Sequence, residues 1–196
     1  MKRRYHVLDD PSADEDPIDA VEDELERLRR ADLPGYELAA TEGDPSLAGY
    51  TYLAGPDDPV LTVVRDAVAD TWYVMVEGED DDHVDQVADA LVEGLRTVDP
   101  ADLRAAAEAP DAGPRDLVRL ALGSTGPADE AVVRVLTTAL ASPDVDLRGA
   151  AVEAAGLTQW PRFVVVLEDF AATEHDPDLK RFAEATLAAL RRALSQ

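Results

Sequence analysis

The apolar and polar positions of this chain change period part-way along, and each change predicts an element. Ile18, Val21, Leu25 and Leu28 recur at intervals of three and four, a stripe on one face of a helix that reaches about Ala31. Pro17 suits the first turn of that helix. Glu22, Asp23, Glu24 and Glu26 precede Arg27, Arg29 and Arg30, an order that complements the helix dipole. Pro34-Gly35 stops the helix, and the period becomes two. Tyr36, Leu38 and Ala40 alternate with Glu37, Ala39 and Thr41, Gly49–Ala54 carries Tyr50 and Tyr52, Val60–Arg65 is rich in β-branched residues, and Thr71–Val76 reads TWYVMV. Turn-forming stretches at 43–45, 55–59 and 66–70 separate these runs, which predicts a meandering antiparallel sheet of three or four strands. Residues 2–8 read as a short strand and 9–16 as an acidic turn. Val84, Val87, Ala88, Leu91, Val92 and Leu95 mark a helix able to cover one sheet face, with Asp81 or Asp82 as its cap. Residues 1–98 therefore read as a small α+β domain of order β-α-β-β-β-α.

Beyond Asp99-Pro100 every period is helical. The spacing predicts helices near 101–108, 114–123, 128–141, 145–156, 161–173 and 178–194, with Pro110, Pro114, Pro127, Pro143, Pro161 and Pro177 between them or in their first turns. Six helices in sequence pair naturally into three hairpins. Phe163, Val166, Leu167 and Phe170 facing Leu179, Phe182, Leu187 and Leu190 are the expected core of the last one.

Two of these segments repeat each other. Pro143–Gly156 reads PDVDLRGAAVEAAG and Asp176–Leu190 reads DPDLKRFAEATLAAL. At a spacing of 32, Asp146 matches Asp178, Leu147 matches Leu179, Arg148 matches Lys180 and Ala151 matches Ala183. Self-similarity of this length marks stacked helical hairpins, none of which buries its apolar face alone. Residues 100–196 resemble bacterial HEAT-like (armadillo-type) repeats, in which a turn rich in Asp and Pro leads into the second helix of each pair. The resemblance implies an all-α array offering a binding surface, with Asp146, Arg148, Asp178 and Lys180 linking adjacent repeats. The first hairpin departs from the pattern, because Arg115 and Arg119 do not align with Arg148. For a groove that touches a partner, Arg115, Arg119, Arg148, Lys180 and Arg181 are the candidate contacts.

Charge narrows the choice of partner. The 196 residues carry a net −24, and the excess is uneven: residues 1–99 hold 27 acids and 8 bases, residues 100–196 hold 15 and 10. Such a field repels nucleic acid and anionic membranes and steers a basic protein inward, while the same excess of acids equally serves solvation, as an adaptation to high salt or to general solubility. Cysteine is absent, which excludes disulfides, thiolate metal sites and a Cys nucleophile. Lys2-Arg3-Arg4 is followed by acids where a signal peptide needs an apolar core. The longest strongly apolar run, Phe163–Leu167, is far too short for a bilayer. The expectation is a cytoplasmic protein.

Candidate chemistry is sparse. Glu79–Asp82 with Asp85 places five carboxylates within seven residues, but without the alternating ligands and the glycine of a calcium loop. A helix N-terminus gathers acids for its own reasons. His6, His83 and His175 are scattered and lack ligand spacing, and no GxSxG elbow, P-loop or GxGxxG stretch occurs. No catalytic, cofactor-binding or metal-binding residue is singled out. The sequence thus points to a non-enzymatic module that binds a protein, basic in the charge-based reading. The alternatives are an immunity protein neutralising a basic toxin or nuclease, and a hydrolase built on carboxylates.

Overall fold

The computed structural model describes residues 2–9, 16–31, 33–44, 47–67, 70–124 and 126–195. The expected acidic turn at 9–16 falls outside them over 10–15. The chain divides into two compact units, Met1–Val98 and Asp99–Gln196.

The first unit is an antiparallel sheet with two helices. Its elements are β1 (Lys2–Val7), α1 (Pro17–Arg30), β2 (Glu37–Asp44), β3 (Leu47–Leu53), β4 (Val60–Asp66), β5 (Thr71–Gly78) and α2 (Asp81–Val92). The spatial order is β1-β5-β4-β3-β2. Strands β2 to β5 form a meander of four strands where the expected order β-α-β-β-β-α had three between the helices. Strand β1, expected as a strand, joins the same sheet by pairing with β5, from Lys2 opposite Gly78 to Val7 opposite Tyr73, which makes five strands. A β-bulge interrupts β2 between Leu38 and Ala40. Tyr52, Leu61, Val63, Val74 and Val76 turn one face toward Val21, Leu25 and Leu28 of α1 and Val84, Val87, Ala88 and Leu91 of α2, and this is the unit's core. Burial of those apolar faces is the main force holding the layers together.

Each helix begins on a recognisable cap. Asp16 accepts from the Ile18 amide and Pro17 follows it. The cap of α2 is Asp80, accepting from the His83 amide at 3.0 Å, rather than Asp81 or Asp82, which lie in the first turn. The acids of the EDDD run therefore satisfy a helix end, as its electrostatics favour.

The second unit contains α3 (Pro100–Glu108), α4 (Pro114–Leu122), α5 (Glu130–Leu140), α6 (Val145–Thr158), α7 (Arg162–Thr173) and α8 (Pro177–Ala193). An antiparallel sheet domain followed by helices alone gives the chain an α+β and then all-α architecture. Helix α6 packs between α4 and α8, while α3, α5 and α7 lie against α4, α6 and α8 respectively. Asp144 and Asp176, themselves 32 residues apart, cap α6 and α8 by accepting from the amides of Asp146 and Asp178. In the last hairpin Phe163, Leu167, Leu179, Leu187 and Leu190 are buried as expected. Phe182 is not; it is 43% exposed, and the neighbouring Ala183 takes the buried position. Trp160 is buried, stacks on Phe163 and donates its indole N–H to the Gly126 carbonyl at 2.9 Å.

Candidate protein-binding surfaces

Helix α3 ends at Glu108, and a short loop carries the chain into α4. Helices α3 and α5 meet over far less of their length than α4 and α6 do. The gap beside α5 is a groove of about 710 Å³. Ala107 and Leu117 with Val135 and Ala139 of α5 supply apolar walls, and Pro143 and Leu147 also line it. Its polar rim includes Glu108, Arg134, Thr138 and Ser142. Thr138 is spent locally, donating to the Arg134 carbonyl at 2.8 Å, and Ser142 Oγ accepts from the Asp144 amide at 3.1 Å. The Arg134 guanidinium is exposed and makes no ion pair among the described residues. A mostly apolar concavity of this size with a few polar groups at its margin is the usual form of a binding site.

The five cations singled out from sequence do not share this groove. Arg148, on α6, ties the α5–α6 turn to the α7–α8 turn, donating from Nε to Glu174 Oε2 at 2.8 Å and from Nη1 to the Ser142 carbonyl at 3.0 Å. The Arg148 side chain is 17% exposed and that of Glu174 only 6%. Glu174 also accepts from the amides of His175 and Asp176, both at 2.8 Å. Hydrogen bonds from Arg148 first, then from the Asp176 amide, hold the Glu174 carboxyl below its ordinary pKa. Arg148 therefore joins successive helices. Arg181 is exposed and pairs with Asp178, while Lys180, Arg115 and Arg119 are half-buried on α8 and α4. Arg134 escaped the sequence reading because nothing in its local pattern tells that α3 stops short beside it.

The sheet unit has its own features. Trp72 and Tyr73 face opposite sides, as alternation requires. Trp72 stacks with Tyr50 at 6.4 Å between centroids, with the Arg65 guanidinium 5.8 Å from the Trp72 ring, and Tyr73 meets Tyr5 edge-on at 6.1 Å. A cavity of about 180 Å³ opens between α1 and the β2–β3 edge, with Glu22, Glu26, Tyr36, Leu38 and Tyr52 in its lining. The Tyr52 hydroxyl donates to Glu22 at 3.1 Å, and the Tyr36 hydroxyl donates to the Pro59 carbonyl at 2.9 Å. Burial pushes both phenols well above their ordinary pKa. His83 Nε2 lies 3.6 Å from Asp58, and among the described residues no three His, Asp or Glu side chains are grouped to hold a metal ion. No helix among the described residues is long and apolar enough to cross a membrane.

Comparison with protein-family models, with curated proteins and with solved structures found no match to this chain.

Proposed function

We propose that this protein is a non-enzymatic, cytoplasmic protein-binding module, in which a short HEAT-like helical array and an acidic α+β domain each present a surface to a protein partner. The observation that carries the reading is the groove beside α5, with its apolar walls of Ala107, Leu117, Val135 and Ala139 and the exposed guanidinium of Arg134 at the rim. A stacked array holds such a surface stiff, so little ordering cost opposes binding. The 32-residue repetition supports the array, as does the Arg148–Glu174 pair, which ties α6 to the turn before α8.

Blocking the groove tests the reading. Ala139 is half-buried on the groove side of α5, and Ala139→Arg places a long charged side chain there. In affinity capture from lysate of the source organism, wild-type protein is expected to retain a specific partner that the Ala139→Arg variant loses by about tenfold or more, the scale of a central contact. Both baits must first show matching circular dichroism. A partner set identical for the two baits overturns the groove as the working surface.

A further inference from the structure

The sheet of the first unit has two edges, and the chain treats them differently. Along the end of β1, the Val98 amide donates to the Val7 carbonyl at 3.0 Å and the Asp9 amide to the Arg96 carbonyl at 2.9 Å, so the segment after α2 closes that edge in part. Strand β2 pairs with β3 on one side and with no described strand on the other. From Glu37 to Gly43 every residue is exposed except the half-buried Ala40, and Leu38 is 49% exposed. An edge of this kind presents unpaired N–H and C=O groups that a further strand can satisfy.

The edge is also selective in charge. Strand β2 carries Glu37, Glu42 and Asp44 and no base. Next to it, on the helix-covered face, lies the 180 Å³ cavity. Glu22 and Glu26 reach it from successive turns of α1. Glu26 is neutralised by Arg29 at 2.7 Å and Arg30 at 3.1 Å. Among the described residues Glu22 accepts only the neutral Tyr52 hydroxyl and pairs with no cation. Arg29 also lines the cavity but is spent on Glu26, so the lining carries a net single negative charge, on Glu22, with Leu25, Leu38, Tyr36 and Tyr52 as a sleeve for a methylene stem.

We propose that β2 accepts an extended basic segment of a partner protein as an added strand, with one lysine or arginine side chain entering the Glu22 cavity. Backbone bonds along β2 supply affinity and the cavity supplies specificity, the usual division in strand addition. Successive side chains of the added strand point to opposite faces. Leu38 lies on the cavity side and Glu37, opposite Leu53, on the other. Two consecutive basic residues would therefore meet Glu22 on one face and Glu37 on the other. A second copy of this chain is a poor occupant, because pairing β2 with β2 sets acids against acids in a molecule of net charge −24. The inference rests on the protein-binding reading but uses a surface distinct from the α5 groove.

The test uses the full chain and a fluorescent peptide, Thr-Val-Lys-Arg-Val-Thr, with Thr-Val-Glu-Glu-Val-Thr as its acidic counterpart. Anisotropy is expected to show saturable binding of the basic peptide, weaker as salt rises, and none of the acidic one. Glu22→Gln, an exposed substitution that keeps the Tyr52 hydrogen bond, is expected to weaken binding by about tenfold. Amide exchange is expected to slow across 37–43 when the basic peptide is bound. Failure of the basic peptide to bind, full affinity in Glu22→Gln, or binding without protection of β2 each overturns the proposal. The Ala139→Arg variant is expected to bind the peptide normally. If the peptide fails while Ala139→Arg still loses its captured partner, the edge proposal falls and the protein-binding reading stands. If capture is unaffected while the peptide binds as described, the groove falls and the edge stands.

Discussion

His6 lies on β1 opposite Val74, on the face covered by α2. The charged groups that bear on it are Arg4, two residues away on the same strand, and Asp89 of α2. Burial first, and then Arg4, lower its pKa to about 4, with Asp89 pulling the other way. An unfolded chain takes up this proton near pH 6.5, before the folded one does. Stability is therefore expected to fall as pH drops from about 6.5 to about 4, by on the order of 3 kcal/mol at the lower end, and to change little from this source below it. The carboxyls held below their ordinary values, Glu26, Asp85 and Glu174, act with the opposite sign check: their stabilisation is present above about pH 4.5 and is lost only as pH falls further. Urea denaturation at pH 7, 5.5 and 4.5 separates the two windows. His6→Gln is expected to lose less stability than wild type between pH 7 and 4.5; equal losses would show that His6 is not the group responsible. Sequence alone placed His6 on a strand but not under a helix, and the neighbour that decides its behaviour, Asp89, is 83 residues away. Phe182 shows the same limit in reverse. Its size marks it as core, yet at a close helix crossing the smaller Ala183 is the residue that fits inside.

Helix α6 owes its position to small residues. An added Cβ at Gly149 would sit 3.9 Å from Leu179, and one at Gly156 only 2.6 Å from Thr186 Cγ2, so of the two glycines Gly156 faces the tighter approach of α8. Gly156→Val is expected to force the helices apart and cost about 1–3 kcal/mol, the range for overpacked sites. In a unit of this size that lowers Tm by several degrees or more. At the matching position 32 residues on, the exposed Ala188 of α8, Ala188→Val is expected to change Tm little. Differential scanning calorimetry of the two variants decides it, and equal shifts would contradict the packing account. These helices were legible because Asp, Pro and apolar spacing are local signals, and helix boundaries rest on local signals. The five-stranded sheet was less so. Strand β1 reads KRRYHV, and its contacts with α2 include Lys2 and Arg4 with Asp85, at 2.6 and 2.7 Å. Charged pairs leave no apolar alternation in sequence, and pairing with β5 joins residues more than 60 positions apart. The α5 groove was not legible at all, since it depends on where α3 stops relative to a helix not adjacent to it in sequence.

Across the whole molecule, charge acts on stability as well as on association. Residues 1–99 carry 27 acids against 8 bases, and several of those bases are already committed at short range: Lys2 and Arg4 to Asp85, Arg27 to Glu24, and Arg29 and Arg30 to Glu26. The acids left over repel one another through solvent, and that repulsion is relieved when the chain expands. Added salt screens it, since the Debye length shortens from about 30 Å at 0.01 M to about 8 Å at physiological ionic strength. Surface pairs such as Arg29–Glu26 weaken over the same range, but each is worth well under the summed repulsion of so large an excess. Thermal stability is therefore expected to rise between 0.01 and 0.15 M NaCl, and to rise more for the sheet unit than for the helical unit, whose 15 acids face 10 bases. Trp72 and Trp160 lie in different units, so Trp72→Phe and Trp160→Phe give each unit its own fluorescence reporter. A Tm that is flat or falling with salt at the Trp72 reporter would mean that the acids of the first unit are arranged without net mutual repulsion.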